Sequence, residues 1–372
     1  SFQSLSAMSS LDRVRPTQQL DGWLEERRGR PFTVAGNHDL VRRPAAYGSR
    51  AWHSLEPDID ESRSAALSES VAEARRAKDA DELDNMRAAV AASCPGHLAA
   101  MHVARPGMTE RQLQIELEVE FARAGSPRTA YGSIVGTGAD GAVLHFAPGT
   151  RELRDGDLVL IDAAAEWNGY AADITRTFPV SGRFDGIQRD LYQLVANVQQ
   201  EAIDAVRPGI EYRDLHMRAA HAIAEGLVDL DILRGDPAEL VECDAHAIFF
   251  PHGLGHMLGL STHDAGGCLA GRAPSDRFGL KWLRADLPLE ENYVITIEPG
   301  IYFIRALLTD AHWRERYRTE VNWPRVDQML DFGGIRIEDD VCVTANGSEV
   351  LSAGIPKSIE DIEAIQREAP RS

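Results

Sequence analysis

The chain has 372 residues, of which 44% are hydrophobic and 26% are charged. This is the composition of an ordinary globular protein, which excludes a collagen-like repeat, wholesale disorder and a small disulfide scaffold. Asp and Glu total 58 against 39 Lys and Arg, so the formal net charge is −19 at pH 7. Such a charge repels polyphosphate and anionic lipid, and we therefore predict that the chain binds neither nucleic acid nor a membrane.

The cysteines and the N-terminus set further limits. Cys94, Cys243, Cys268 and Cys342 form no Cys-x-x-Cys pair, which favours reduced and mostly buried thiols over a zinc ribbon or a disulfide framework. No apolar run approaches the roughly 20 residues that cross a bilayer. Ser1–Ser10 lacks the basic start and apolar core of a secretory signal, so we predict a cytoplasmic protein.

The composition changes after residue 77. Residues 1–77 are rich in Arg, Ser, Pro and Ala, and we predict that they form a short N-terminal domain ahead of a larger domain over 78–372. In the larger domain, Asp81 is predicted to cap a helix that the Pro95-Gly96 pair kinks or breaks. Thr109 is predicted to cap a second helix.

Beyond residue 131 the pattern becomes one of short β-rich runs. Strands are predicted at Ser133–Val135, Val143–Phe146, Leu158–Asp162, Gly169–Phe178, Tyr293–Ile297 and Gly334–Thr344. Helices are predicted between them at Gln188–Val206 and Tyr212–Gly226. This order of strands, helices and further strands favours an α+β fold with an antiparallel or mixed sheet.

Two aspartates flank a predicted hairpin within Leu158–Val180. The Asn168-Gly169 pair is typical of a hairpin turn. A loop over Glu166–Gly169 would place Asp162 directly opposite Asp173, with Cβ atoms about 5 Å apart. Two carboxylates this close on a buried strand are costly unless one is protonated or a cation lies between them. We therefore predict a metal site here rather than a solvated acidic pair.

Three histidines, His252, His256 and His263, lie in the Gly-rich segment FFPHGLGHMLGLSTHDAGG. Glycine allows a backbone to approach a ligand closely, and neutral imidazole is the commonest nitrogen ligand for transition metals. Three histidines in one such segment indicate a site, although their spacing leaves open which of them binds metal.

Two glutamates complete a predicted set of metal ligands. Glu298 follows the apolar run Val294–Ile297, and Glu338 lies on the opposite strand face from Ile335 and Ile337. The full set is Asp162, Asp173, His256, Glu298 and Glu338. Four carboxylates and one imidazole suit Mn²⁺, with Co²⁺, Zn²⁺ or Fe²⁺ as alternatives. Four carboxylates exceed what one divalent ion needs, so we predict two ions, which can activate water for hydrolysis.

Four sequence blocks resemble the signature blocks of a known family. DAAAEWNGYAADITRTFPVSG, PHGLGHMLGLSTHD, ITIEPGIYF and GGIRIEDD are similar to those of the pita-bread (M24) metallopeptidases, which include methionine aminopeptidase, aminopeptidase P and prolidase. The resemblance covers about Lys78 to Ile365. It implies a curved antiparallel sheet flanked by helices, a reduced N-terminal α/β segment and a homodimer.

The resemblance also implies roles for individual residues. The metal ligands would be Asp162, Asp173, His256, Glu298 and Glu338, and a hydroxide that bridges the two metals would attack the peptide carbonyl. The catalytic residues would be His263, which polarises the carbonyl, His145, near the scissile nitrogen, and Glu298, which passes a proton to that nitrogen. The substrate-binding residues would be His252, Arg284, Arg336 and Tyr302.

Three features of the resemblance point to prolidase, the Xaa-Pro dipeptidase, and one of them is Arg336, a second candidate near the proline end of the substrate. The segment Arg305–Phe332 is similar to a prolidase insertion, and Arg284 in GLKWLRADL matches the arginine that grips the free carboxylate of a dipeptide. A fixed guanidinium binds a carboxylate bidentately and would penalise longer peptides. We therefore expect hydrolysis of Xaa-Pro dipeptides. The alternatives are an Xaa-Pro aminopeptidase (aminopeptidase P), which acts on longer peptides, and a non-catalytic member that binds peptides and would have lost metal ligands.

Overall fold

The computed structural model describes residues 19–31, 33, 60–269 and 271–368. The chain forms two compact units, residues 1–74 and residues 75–372. Helices α1 (Leu20–Glu25) and α2 (Glu61–Arg76) begin within the first unit. Most of the predicted N-terminal domain, 1–77, lies outside the described residues, so its extent stays a prediction.

The second unit combines helices with antiparallel strands, which confirms the predicted α+β class. Its helices are α3 (Ala80–Val103), α4 (Glu110–Arg123), α5 (Gly186–Ala205), α6 (Tyr212–Asp229), α7 (Pro237–Glu242), α8 (Arg305–Leu308), α9 (Ala311–Arg316), α10 (Trp323–Val326) and α11 (Ile359–Arg367). Its strands are β1 (Ile134–Thr137), β2 (Leu158–Asp162), β3 (Glu166–Trp167), β4 (Tyr170–Ala171), β5 (Thr175–Pro179), β6 (Val294–Ile297), β7 (Gly300–Tyr302), β8 (Gly334–Arg336), β9 (Asp339–Thr344) and β10 (Gly347–Val350).

Two three-stranded sheets carry most of the strands. Their orders are β1-β2-β5 and β10-β9-β6, and β3-β4 and β7-β8 form two further pairs. An isolated bridge between Thr175 and Glu338 links the first sheet to the turn between β8 and β9, and another links Met257 to Ile295 on β6. These bridges bring together segments that are distant in sequence, and all of the predicted metal ligands lie on or beside them.

The first helix of the larger unit differs from its prediction in two ways. Asp79 rather than Asp81 caps α3, in a reciprocal capping box with Glu82. Pro95 lies inside a single helix that continues to Val103, so the predicted break is wrong. Gly96 explains why the helix continues there: a Cβ on it would lie 2.4 Å from Phe121 of α4. The close contact of the two helices outweighs the backbone hydrogen bond that proline removes.

The hairpin of β2 and β5 has a different register from the predicted one. Asn168 and Gly169 have φ of 50° and 91° and form a two-residue turn, instead of the predicted four-residue loop. Asp162 therefore pairs with Thr175 rather than with Asp173. Asp173 lies two residues before Thr175, between β4 and β5, and lines the same cavity as Asp162.

Other elements agree with prediction to within a few residues, with three exceptions. The predicted strands Gly169–Phe178 and Gly334–Thr344 are each divided into two strands of different sheets, β4 and β5 in the first case and β8 and β9 in the second. Val143–Phe146 is not a strand; it follows a short 3₁₀ helix, Gly138–Ala142, and lies in a turn. Thr109 caps α4 as predicted. The cysteines are free, but Cys243 and Cys268 are exposed, so the prediction of mostly buried thiols is wrong. In the described part of the chain, every helix is too short or too polar to cross a membrane.

Candidate active site

The predicted site residues meet at one cavity of about 510 Å³. Ten of the eleven residues line it: His145, Asp162, Asp173, His252, His256, His263, Arg284, Glu298, Arg336 and Glu338. The eleventh, Tyr302, is fully buried behind the wall. Apolar side chains complete the lining, namely Leu144, Phe278, Trp282, Ile304 and Leu307. The cavity thus combines acidic, histidine and arginine side chains with apolar ones.

The ends of the strands position the acidic side chains. Asp162 is the last residue of β2, and Glu298 directly follows β6. Asp173 precedes β5, and Glu338 precedes β9. The runs 158–161 and Val294–Ile297 are buried, so the acid that follows each run, Asp162 or Glu298, emerges at the edge of the core and lines the cavity.

Three of the five predicted metal ligands are close enough to share one ion. Single ligand atoms of Asp173, His256 and Glu338 lie within 4.8 Å of one another. The Nε2 of His256 lies 3.3 Å from an oxygen of Asp173 and 3.7 Å from an oxygen of Glu298. The other ring nitrogen, Nδ1, is 3.0 Å from the carbonyl oxygen of Met257. A carbonyl can only accept, so Nδ1 carries the hydrogen and Nε2 faces the carboxylates.

Electrostatics make this cluster a strong candidate for cations. Burial raises the pKa of Asp162, and the Asp173 charge adds to the effect although Arg336 opposes it. Burial likewise raises the pKa of Glu298 to about 7. Burial and the Asp173 charge raise the pKa of Glu338 well above its ordinary value. A divalent ion would relieve this repulsion, and the donor set of carboxylates and one imidazole fits such an ion.

A directional chain of hydrogen bonds supports one side of the cavity. The guanidinium of Arg336 donates to Asp162 Oδ2 at 2.6 Å and to the hydroxyl of Tyr302 at 2.8 Å. That hydroxyl lies 2.9 Å from Nε2 of His252, whose Nδ1 lies 2.7 Å from the carbonyl of the next residue. Burial and the Arg336 charge lower the pKa of His252 to about 3, so its ring is neutral. Arg336 therefore fixes protein groups as well as lining the cavity, and Tyr302 links it to His252 from outside the lining.

The remaining predicted residues lie nearer to solvent. His263 is exposed, and its ring stands edge-on to that of His256 with centroids 4.5 Å apart. Partial burial and the neighbouring His256 lower the pKa of His263 to about 4. His145 and Arg284 are also exposed and line the cavity. These side chains have the freedom to contact a substrate.

Two hydroxyl groups at the site were missed by the sequence analysis. Tyr131 donates to Asp162 Oδ1 at 2.5 Å, and Thr175 donates to Glu338 Oε2 at 2.6 Å. Thr175 lies in the ITRTF block and could have been suspected from its position two residues after Asp173. No local pattern marks Tyr131, which reaches the site from the loop before β1.

A buried ion network behind the ligands was also missed. The fully buried Arg176 donates to the carbonyl of Glu338 at 2.6 Å and to Asp339 Oδ1 at 2.7 Å. Lys357 pairs with the other oxygen of Asp339 at 2.7 Å. Although burial opposes ionisation, these two cations hold the pKa of Asp339 well below its usual range. The network fixes the backbone that carries Glu338.

Comparison with known proteins gives consistent matches. Residues 84–345 match the profile of Metallopeptidase family M24. The chain is 40% identical to the Xaa-Pro aminopeptidase of Escherichia coli (strain K12) over 295 residues, which cover 79% of this chain and 60% of that protein. It is 38% identical over 293 residues to the Xaa-Pro aminopeptidase of Haemophilus influenzae, covering 79% and 61%. The chain thus spans less than two thirds of the length of these curated relatives.

Solved structures of similar fold carry related names. Pseudomonas aeruginosa aminopeptidase PepP is similar with a TM-score of 0.79 and 33% identity, over 100% of this chain and 79% of that one. Zinc-substituted Escherichia coli aminopeptidase P in complex with product has a TM-score of 0.78 and 33% identity, over 98% and 77%. The family profile covers more than half of the chain and these structures share its fold, and we conclude that the chain belongs to metallopeptidase family M24, with the pita-bread fold expected from its sequence.

Proposed function

We propose that this chain is a metal-dependent Xaa-Pro aminopeptidase, which removes the N-terminal residue from peptides whose second residue is proline. The observation that carries this proposal is the cavity in which the five predicted metal ligands and three further histidines converge. The relatives at 35–40% identity are named Xaa-Pro aminopeptidase or probable Xaa-Pro aminopeptidase, which supports the substrate class. They favour this activity over the dipeptidase activity that we expected from the sequence.

The proposed metal ligands are Asp162, Asp173, His256, Glu298 and Glu338. We propose that they hold two divalent ions, with Mn²⁺ as the first candidate and Co²⁺ or Zn²⁺ as alternatives. When bound, such ions lower the pKa of a coordinated water and polarise a carbonyl. The repulsion among the buried carboxylates supports more than one positive charge at this site.

The side chains around the ligands have matching chemistry. Glu298 lines the cavity with an oxygen 3.7 Å from Nε2 of His256, and we propose that its carboxylate passes a proton to the leaving nitrogen. Neutral His263 can donate a ring N–H to the carbonyl oxygen as negative charge develops there. We propose that His145 lies near the scissile nitrogen of a bound peptide, because its exposed side chain lines the same cavity. His252 has both ring nitrogens engaged, which suits it to a rigid wall.

Peptide length is the point on which the two activities differ. The exposed Arg284 could bind the carboxylate of a short peptide. The segment that resembles a prolidase insertion supplies Ala306 and Leu307 to the cavity wall. The homodimer and the cytoplasmic location also stay predictions.

Cleavage of matched peptides tests the proposal. Purified protein with Mn²⁺ would be given an Xaa-Pro dipeptide, the Xaa-Pro-Yaa tripeptide and an Xaa-Ala-Yaa control, with and without a chelator. We expect chelator-sensitive release of the first residue from Xaa-Pro-Yaa and none from Xaa-Ala-Yaa. The isosteric variant Glu298→Gln serves as the control for contaminating peptidases. Cleavage confined to the dipeptide would instead support the dipeptidase, and no cleavage of either proline peptide would refute both.

A further inference from the structure

Residues 75–78 contact the loop that carries His263, and they precede residue 84, where the match to the family profile begins. We propose that Asp264, gripped by Arg75 and Lys78, is a positioning residue that fixes the orientation of His263. The proposal rests on the proposed function in one respect only, which is that it gives His263 a part in catalysis.

His263 does not fix its own ring. Among the described residues, its imidazole contacts the ring of His256 but makes no hydrogen bond. A side chain on an exposed loop without such a bond takes its direction from the backbone beneath it. The groups that anchor this backbone therefore decide where the ring points.

Asp264, the next residue, supplies that anchor. Its backbone N–H donates to the carbonyl of Met257 at 2.9 Å, and the same carbonyl accepts from the Nδ1 of His256. The side chain of Asp264 is only 1% exposed. One carboxylate oxygen pairs with Arg75, and the other lies 3.7 Å from Nζ of Lys78. A single residue thus connects the loop of His263 both to the metal-binding histidine and to two cations.

The cations are themselves held in place. The side chain of Lys78 is 1% exposed, and its Nζ donates to the carbonyls of Arg75 and Arg76 at 2.9 and 3.0 Å. Arg76 donates in turn to the carbonyls of Gly266 and Cys268, on the far side of Asp264. Residues 75–78 therefore hold the loop at three points, Asp264, Gly266 and Cys268. Residues 75–78 themselves precede residue 84, where the family match begins.

The loop backbone is shaped to admit the carboxylate. A Cβ on Gly259 would lie 2.4 Å from Oδ2 of Asp264 and 3.1 Å from Cε of Lys78. A buried ion pair is weak evidence for stability, because desolvation offsets its attraction, but it can specify one geometry. Here the specified geometry is that of the segment bearing His263.

Double-mutant kinetics separate positioning from a merely structural role. Asp264→Asn should lower kcat on an Xaa-Pro-Yaa peptide by about 10- to 100-fold, because a misplaced group near the reacting atoms costs this much. KM and the metal content should change little. Added to His263→Ala, Asp264→Asn should cost less than about two-fold more, because residues that act as a unit are not additive. Glu363→Gln, which breaks the ion pair with Arg189 away from the cavity, is the matched control and should leave kcat unchanged.

A spectroscopic readout keeps the proposal independent of the substrate assignment. The His263 ring resonance in a ¹H–¹³C spectrum is identified by its absence from His263→Ala, and we expect it to shift in Asp264→Asn and not in Glu363→Gln. An unshifted resonance, or full additivity of the two substitutions, would overturn the proposal. If Asp264→Asn does not fold, Arg75→Met removes one cation from a partly exposed position and is judged by the same results. Absence of Xaa-Pro cleavage in the unaltered protein would refute the proposed function, while the resonance still tests the positioning.

Discussion

The buried Arg176 should contribute strongly to the free energy of unfolding. Its side chain is 0% exposed and donates to the carbonyls of Glu338 and Ile355 at 2.6 and 2.8 Å, as well as to Asp339. Arg176→Met keeps an unbranched side chain of similar length but removes every donor. Asp339 would then keep Lys357 and the hydroxyl of a serine as partners.

The expected cost follows from these contacts. Removing one partner of a buried ion pair costs about 3–5 kcal/mol, and the lower end applies because Lys357 still pairs with Asp339. Carbonyls left without a donor add about 1 kcal/mol or more. We therefore expect Arg176→Met to lower the free energy of unfolding by about 4 kcal/mol. This is a large fraction of the total, which is about 5–15 kcal/mol for a native protein.

Urea unfolding of the metal-free protein, followed by circular dichroism, measures this cost. Arg189→Met is the matched control, because Arg189 pairs with Glu363 at 2.5 Å but its side chain is 40% exposed. Exposed pairs contribute about 0–1 kcal/mol. If Arg176→Met were no more destabilising than Arg189→Met, the reasoning about the buried network would be refuted.

Four further perturbations have defined outcomes. Gly96→Ala should lower the free energy of unfolding by about 1–3 kcal/mol, because the new Cβ would lie 2.4 Å from Phe121 in tightly packed helices. Burial, with the Arg176 charge, lowers the pKa of His97 to about 3 from its usual 6.5. The unfolded chain therefore binds a proton below pH 6.5 that the folded chain does not. Between pH 7.5 and pH 5 the free energy of unfolding should fall by about 2 kcal/mol more in the unaltered protein than in His97→Gln. Asp173→Ala should lose bound metal and activity together. Arg284→Ala should lower kcat/KM on an Xaa-Pro dipeptide about 10-fold, and less on longer peptides.

Each of these outcomes has its own check. Gly186→Ala at the start of α5 meets open space, so an equal effect of the two alanines in urea unfolding would contradict the packing argument. Parallel pH dependences for the protein and His97→Gln would show that this histidine is not held neutral. Undiminished metal content in Asp173→Ala, measured by plasma mass spectrometry, would remove that aspartate from the ligands. If Arg284→Ala lowered kcat/KM equally on dipeptides and on longer peptides, another group would have to bind the carboxylate.

Asp162 and Glu298 could be predicted from the chain's own pattern because each follows an apolar run, whereas His145 and Arg284 were assigned only through the resemblance to the family. Val294–Ile297 predicts a buried strand, and the first acid after it has to lie at the edge of the core. The register of the hairpin, in contrast, could not be predicted from the sequence. The choice between a two-residue and a four-residue turn at Asn168-Gly169 moves the partner of Asp162 by two positions, and only packing of the finished sheet decides it.

The supporting contacts were not predictable, since they join residues that are remote in sequence. Arg75 meets Asp264 across 189 positions, and Arg176 meets Glu338 across 162. No local periodicity encodes such pairs. At Pro95 a sound local rule failed for a related reason, because the packing of α3 on α4 overrides the preference of a single residue.

Titration of metal-free protein with Mn²⁺, with bound metal and cleavage of an Xaa-Pro-Yaa peptide measured in the same samples, tests the central claim most directly. We predict no cleavage without metal, activity that rises as metal binds, and saturation at two ions per chain. Full cleavage by the metal-free protein, or two tightly bound ions without any cleavage, would contradict the account.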